Sequence, residues 1–109
     1  MQKAQTSFGP VQIGILLLAL ATALIHIVLA IPENIVMFYL NGAGYIALAL
    51  ALFLPQFKQY RSLIRYALMA FTLVTILAWV AIGMRTPVGY ITKIIEVVLL
   101  VLLWLDRGR

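Results

Sequence analysis

Polar residues in this chain act as punctuation between four long apolar blocks. The first is "VQIGILLLALATALIHIVLAI", residues 11–31, and the others cover residues 35–54, 63–83 and 88–105. Each is close to the ~20 residues that a helix needs to cross a ~30 Å hydrocarbon layer. The pattern therefore predicts an all-α membrane fold: a four-transmembrane-helix antiparallel bundle forming a single domain over residues 1–109. The start of the first block, "GILLLALATA", has the apolar run and small residues of a signal peptide. The run continues through "LIHIVLAI", so an uncleaved spanning helix is expected, ended by Pro32. The "PEN" link is too short for anything but an antiparallel return, and Pro55 closes the second block. In "QFKQYRS", Phe57 and Tyr60 suit a membrane–water boundary, and Ser62 is positioned to cap the third helix. In "MRTP", Thr86 is placed to cap the fourth helix and Pro87 to occupy its first turn. Trp104 is an interfacial anchor at its far end.

Composition reinforces the pattern. With 65% hydrophobic and 10% charged residues, the chain has too little polar surface to clothe a soluble core. It has no cysteine, which excludes disulfides, thiolate metal sites and cysteine nucleophiles. The net charge of +5 flanks the blocks instead of forming a patch, so nucleic acid is not an expected partner. Lys3, Lys58, Arg61, Arg65, Arg107 and Arg109 fall on one side of the hairpin pair, and Glu33 and Arg85 on the other. By the positive-inside rule, both termini and the middle loop are expected in the cytoplasm. This is the expected layout of a multi-pass protein of a bacterial or archaeal plasma membrane.

The candidate chemistry lies in the polar residues that interrupt the blocks. At 1.5 Å per residue, His26 sits roughly 7–8 Å from the outer end of its helix and Asn41 roughly 9 Å. Thr75, Lys93 and Glu96 fall roughly 7–13 Å from the same surface, so these groups share one layer in the outer half. They also share helix faces. Ala19, Thr22, Ala23, His26 and Ala30 form one stripe, and Asn41, Gly44, Leu48 and Ala51 another. Leu68, Thr72, Thr75 and Trp79 follow on the third helix, and Gly89, Lys93, Glu96 and Leu100 on the fourth. Ala19, Ala23, Gly42, Gly44 and Ala47 are small enough to let helices approach closely, the main driver of association in lipid. An ionised group facing lipid costs about 2.5–3.5 kcal/mol on insertion scales, so Lys93 and Glu96 are expected to pair. His26, Asn41 and Thr75 are placed to satisfy the hydrogen-bonding capacity left over.

Two readings of the Lys93–Glu96 pair stay open. In one it locks the fourth helix in place or docks a partner; in the other it is a proton or cation site. Its closeness to the outer surface favours the first. His26 lacks the second histidine that a bis-imidazole haem requires, and reads as a packing residue. It could also line a quinone-head pocket with Glu96 and Tyr39 or Tyr45. No cofactor is expected beyond a bound lipid or quinone. "NGAGY", residues 41–45, is not a phosphate loop, because no strand precedes it and no Lys-Ser/Thr follows. Arg85, at the outer surface, is placed to pair with Glu33 or with an acid of a partner. With one histidine and three acids, hydrolytic or metal chemistry has almost no material, and the chain is not expected to be an enzyme.

"NGAGY" followed by "RTPVGYITKIIEV" resembles small uncharacterised four-helix integral membrane proteins with an NGxGY…RTPxGYxxKxxE pattern, over residues 35–105. That resemblance implies a fold and no activity. Length and span number are similar to those of the small multidrug resistance transporters, whose functional carboxylate lies in the first helix. The first block here carries none. In size and build the chain also resembles accessory subunits of respiratory and photosynthetic complexes, such as those of alternative complex III. The expected function is a small accessory or structural subunit docked on other integral-membrane subunits, with membrane lipids around it. The alternative is a small proton- or cation-coupled transporter or channel using Glu96 with Lys93 and His26.

Overall fold

The computed structural model describes residues 9–83 and 85–106, without the side chain of Glu33. Lys3, Arg107 and Arg109 therefore lie outside the described residues. Four helices follow in order: α1 (Pro10–Glu33), α2 (Val36–Phe53), α3 (Arg61–Ile82) and α4 (Pro87–Leu105). A 3₁₀ turn, Pro55–Tyr60, joins α2 to α3. All four helices are long and apolar enough to cross a membrane.

The helix ends show where local chemistry overrode the simpler reading. Pro32 does not terminate α1 but sits in its last turn, where it forfeits its own backbone bond and the helix still runs on to Glu33. Termination comes two residues later, at Asn34 in the left-handed conformation (φ 52°, ψ 51°). The Ile35 N–H donates to Ala30 O at 3.1 Å and the Asn34 N–H to Ile31 O at 3.4 Å. These are the paired bonds of a Schellman motif, and asparagine is among the few non-glycine residues that tolerate that backbone. Ser62 does not cap α3. The 3₁₀ turn runs straight into α3, and the Arg61 N–H is already satisfied by Lys58 O. Thr86 does cap α4, its Oγ1 accepting from the Gly89 N–H at 3.1 Å, with Pro87 in the first turn. The Gly9 N–H, ahead of α1, donates to Gln12 Oε1 at 2.8 Å.

The helices form an up-down ring in which α1 packs against α2 and α4, and α3 closes the gap between them. Cross-helix bonds fix the antiparallel register: Gln12 of α1 meets Asp106 just beyond α4, and Thr22 meets Glu96. One end of the bundle thus gathers Gly9, Arg65 and Asp106 (the termini end), and the other gathers the two tight links (the hairpin end). Ile15, Ala19, Ala23, Tyr45, Ala49, Leu52, Leu68, Leu99 and Leu103 fill the core. Close approach of α1 and α2 depends on Gly42. A Cβ there would stand 2.5 Å from Ile27 Cγ1 and 2.8 Å from Ala23 O. A Cβ at Gly44 would likewise meet the Phe71 ring of α3.

All five positions of the α1 stripe, Ala19, Thr22, Ala23, His26 and Ala30, are buried. On α2 the buried face is Gly42, Tyr45, Ala49 and Leu52, one residue on from the expected stripe. That rotation of about 100° places the large Tyr45 ring inside and leaves Asn41 and Gly44 on the flank toward α3. Ala47, expected to pack, is exposed, as is Ala43. Outward faces of all four helices carry exposed large apolar residues, among them Leu17, Val28, Leu40, Leu63, Val74 and Ile94. Apolar surface this continuous is rare on a protein surrounded by water.

Candidate functional site

Among the described residues, most of the buried polar groups fall into three assemblies, while Thr92 bonds back to Val88 O within α4. In the first, the helical spacing of Lys93 and Glu96 places both on the inner face of α4, and Lys93 Nζ donates to Glu96 Oε1 at 2.6 Å. The second carboxylate oxygen accepts from Thr22 Oγ1 of α1 at 2.8 Å. Glu96 is fully buried, whereas the Lys93 side chain retains 11% of its exposure. His26 lies one turn beyond Thr22, and its Nδ1 is 2.8 Å from the Thr22 carbonyl oxygen. A carbonyl only accepts, so this contact requires the proton on Nδ1. The imidazole packs edge-on against Phe38 at 5.4 Å and beside Tyr45 at 6.4 Å.

The second assembly links α2 to α3. Asn41 Nδ2 donates to Thr75 Oγ1 at 2.8 Å, and that hydroxyl donates onward to Phe71 O at 2.9 Å. Thr72 Oγ1 turns back to Leu68 O in the same manner. Tyr45 lies between the two assemblies, edge-on to Phe71 at 4.9 Å. Its hydroxyl sits beside Thr72 and Thr75, within electrostatic reach of Glu96, but closes no hydrogen bond. The expected single layer is therefore divided. Asn41 bonds to Thr75 instead of to the ion pair and leaves its Oδ1 without a hydrogen bond, His26 engages a carbonyl, and Thr22 takes the place expected for them. The sequence pattern put Thr22 on the right stripe; its position one turn before His26 was the available signal.

The third assembly lies at the termini end. Arg65 on the first turns of α3 is fully buried, and its Nε donates to Asp106 Oδ2 at 3.2 Å. The other Asp106 oxygen accepts from Gln12 Nε2 of α1 at 2.7 Å. Gln12 in turn accepts the Gly9 N–H, so one carboxylate ties α1, α3 and α4 together. Nearby, Arg61 Nε approaches Leu52 O at 3.4 Å, joining α3 to the end of α2. Charge counting treats Arg65 and Asp106 as flanking residues. The only hint of their pairing is that Arg65 falls just inside the third apolar block.

Arg85 closes the hairpin end. Its Nη1 donates to Trp79 O at 3.2 Å and its Nη2 to Val80 O at 2.8 Å, satisfying carbonyls at the end of α3. The guanidinium lies 4.2 Å from the centre of the Trp79 ring, which meets Tyr90 edge-on at 5.1 Å. Its expected pairing with Glu33 involves a side chain outside the described residues. Two open grooves mark the bundle surface, each about 310 Å³. One is lined by Trp79, Tyr90, Lys93, Ile94, Val97 and Val98, and the other by Leu24, Ile25, Val28, Leu29 and Val88. Among the described residues no three His, Asp or Glu side chains gather as metal ligands would. The chain matches no family model, no curated protein and no solved structure.

Proposed function

We propose that this chain is a small integral-membrane accessory subunit that spans the bilayer four times and docks its exposed apolar faces on a larger membrane complex. Its two termini are on the cytoplasmic side, in keeping with Lys58 and Arg61 at the termini end. The observation that carries the reading is closure: both oxygens of each buried carboxylate are bonded to side chains of the chain itself. Glu96 is taken by Lys93 and Thr22, and Asp106 by Arg65 and Gln12. Polar groups in a spanning bundle that are satisfied in this way act as interhelical latches. What the bundle offers a partner is its outer face. There the exposed Ala43 and Ala47 of α2 admit close approach of another helix, beside Leu40 and Leu50. The resemblance in size and build to accessory subunits of respiratory and photosynthetic complexes favours an electron-transfer complex in a bacterial or archaeal plasma membrane. No catalytic role is proposed.

The test is extraction from native membranes in a mild detergent, followed by crosslinking from a cysteine introduced at Ala47 and mass spectrometry of the adduct. A stoichiometric adduct with one integral-membrane protein is expected. A homogeneous, uncrosslinked monomer would contradict the reading.

One observation favours a second reading, a proton- or cation-coupled transporter or channel. Glu96, Lys93, His26 and Tyr45 bring four ionisable groups together in the interior of one bundle, and intramembrane carboxylates often mark ion routes. It differs from the first in requiring flux that depends on Glu96.

A further inference from the structure

The groove between α3 and α4 differs from the equally large groove between α1 and α4 in one respect. The second is lined by aliphatic side chains alone, whereas the first has an aromatic rim and the stem of Lys93 in its wall. Trp79 and Tyr90, from the last turn of α3 and the first of α4, form its rim at the hairpin end. Arg85 is stacked on that same Trp79 ring and held by two carbonyls. Below the rim the wall is Ile94, Val97 and Val98, extending about 12 Å along α4 from Tyr90. The Lys93 ammonium is engaged by Glu96, so its stem contributes mainly apolar surface.

We propose that this groove binds one anionic phospholipid, resting on the membrane-spanning reading above. An acyl chain lies against Ile94, Val97 and Val98, and the phosphate meets the Arg85 guanidinium at the mouth. A guanidinium carries five N–H donors in a fork suited to phosphate. Arg85 directs one each from Nη1 and Nη2 to the α3 carbonyls and, among the described residues, pairs with no carboxylate. Its two carbonyl bonds and the Trp79 ring beneath it hold the guanidinium beside the kind of amphipathic ring that meets headgroups at a membrane boundary. Charge selects the lipid here: a zwitterionic headgroup brings a compensating cation to a mouth that already has one.

The experiment is native mass spectrometry of the full-length protein, first shown to stay in the membrane pellet after alkaline carbonate. The protein is delipidated and then titrated with mixed micelles of equal phosphatidylglycerol and phosphatidylcholine. Wild type is expected to retain one phosphatidylglycerol in preference to phosphatidylcholine. Arg85→Gln should weaken that preference roughly fivefold, the scale of one basic residue at an anionic lipid surface. Val98→Phe, which fills the groove and leaves Arg85 in place, should lower retention of this lipid, while Val28→Phe in the aliphatic groove and Lys58→Gln at the other end should not. Equal retention of the two lipids, an unchanged Arg85→Gln, a loss as large in Lys58→Gln, or a second copy of the chain in place of lipid would each overturn the proposal. Release by carbonate would overturn the membrane reading with it, whereas a pelleted protein without lipid preference would remove the groove alone.

Discussion

Among the described residues, two buried ion pairs lie toward opposite ends of this bundle, and they are built differently. Lys93 and Glu96 are three residues apart on one helix, so α4 brings them together whenever it forms. Arg65 and Asp106 are 41 residues apart, and only the assembled bundle brings them into contact. The difference extends to what each holds. Among the described residues the local pair reaches another helix through Thr22, and its lysine keeps some exposure. In the distant pair both side chains are about 1% exposed, and through Gln12 the pair joins three helices. A charge pair stabilises tertiary structure only so far as assembly, and not a single helix, creates it. On that ground the termini end should be the stronger clamp.

The largest expected effect comes from breaking that clamp on one side. Arg65→Met takes the guanidinium away from the buried Asp106 carboxylate and should lower unfolding stability in detergent by about 3–5 kcal/mol. The double variant Arg65→Met with Asp106→Leu should recover most of this loss, since apolar replacements of a whole buried pair are often neutral. If the single and double variants lose equally, the contact is steric and the comparison fails. Glu96→Gln should lose less, about 1–3 kcal/mol. The amide keeps a partner for Thr22, and Lys93 can extend toward the hairpin end along its groove. A Glu96→Gln loss exceeding that of Arg65→Met, in the same thermal or denaturant series, would reverse the ranking. Thr75→Val should be smallest, about 0.6 kcal/mol, the usual scale of an interhelical hydrogen bond in a membrane bundle. Because Asn41 bonds to Thr75 and not to Glu96, that loss should add independently to the Glu96→Gln loss in a double-mutant cycle.

The same contrast explains what was legible in the sequence. Four helices, their antiparallel order, the Thr86 cap and the Lys93–Glu96 contact all follow from block length or from helical spacing within one segment. The α1 stripe was equally readable, because small and polar residues recur at that period on α1. What escaped required knowing how the helices rotate against each other. The inner face of α2 turns on Gly42 and Tyr45, set by the approach of Ala23 and Ile27 from α1. With that rotation Asn41 falls toward Thr75, away from the ion pair. Arg65 and Asp106 sit where a charge at a helix end ordinarily meets headgroups and water. Apart from the place of Arg65 just inside the third apolar block, nothing along the chain distinguishes them from other flanking charges until α3 and α4 are set side by side. Pro32 misled for a different reason: it removes only its own N–H bond, and the stop is set two residues later by Asn34 in the left-handed conformation.

The central claim, that the buried charges are latches and not a route for ions, is tested most directly by proton flux. Purified protein is reconstituted into liposomes loaded with a pH-sensitive dye, a pH difference is imposed across the membrane, and wild type, Glu96→Gln and protein-free liposomes are compared. The account predicts the same slow leak in all three. Flux in wild type well above the protein-free control, abolished by Glu96→Gln, would contradict it.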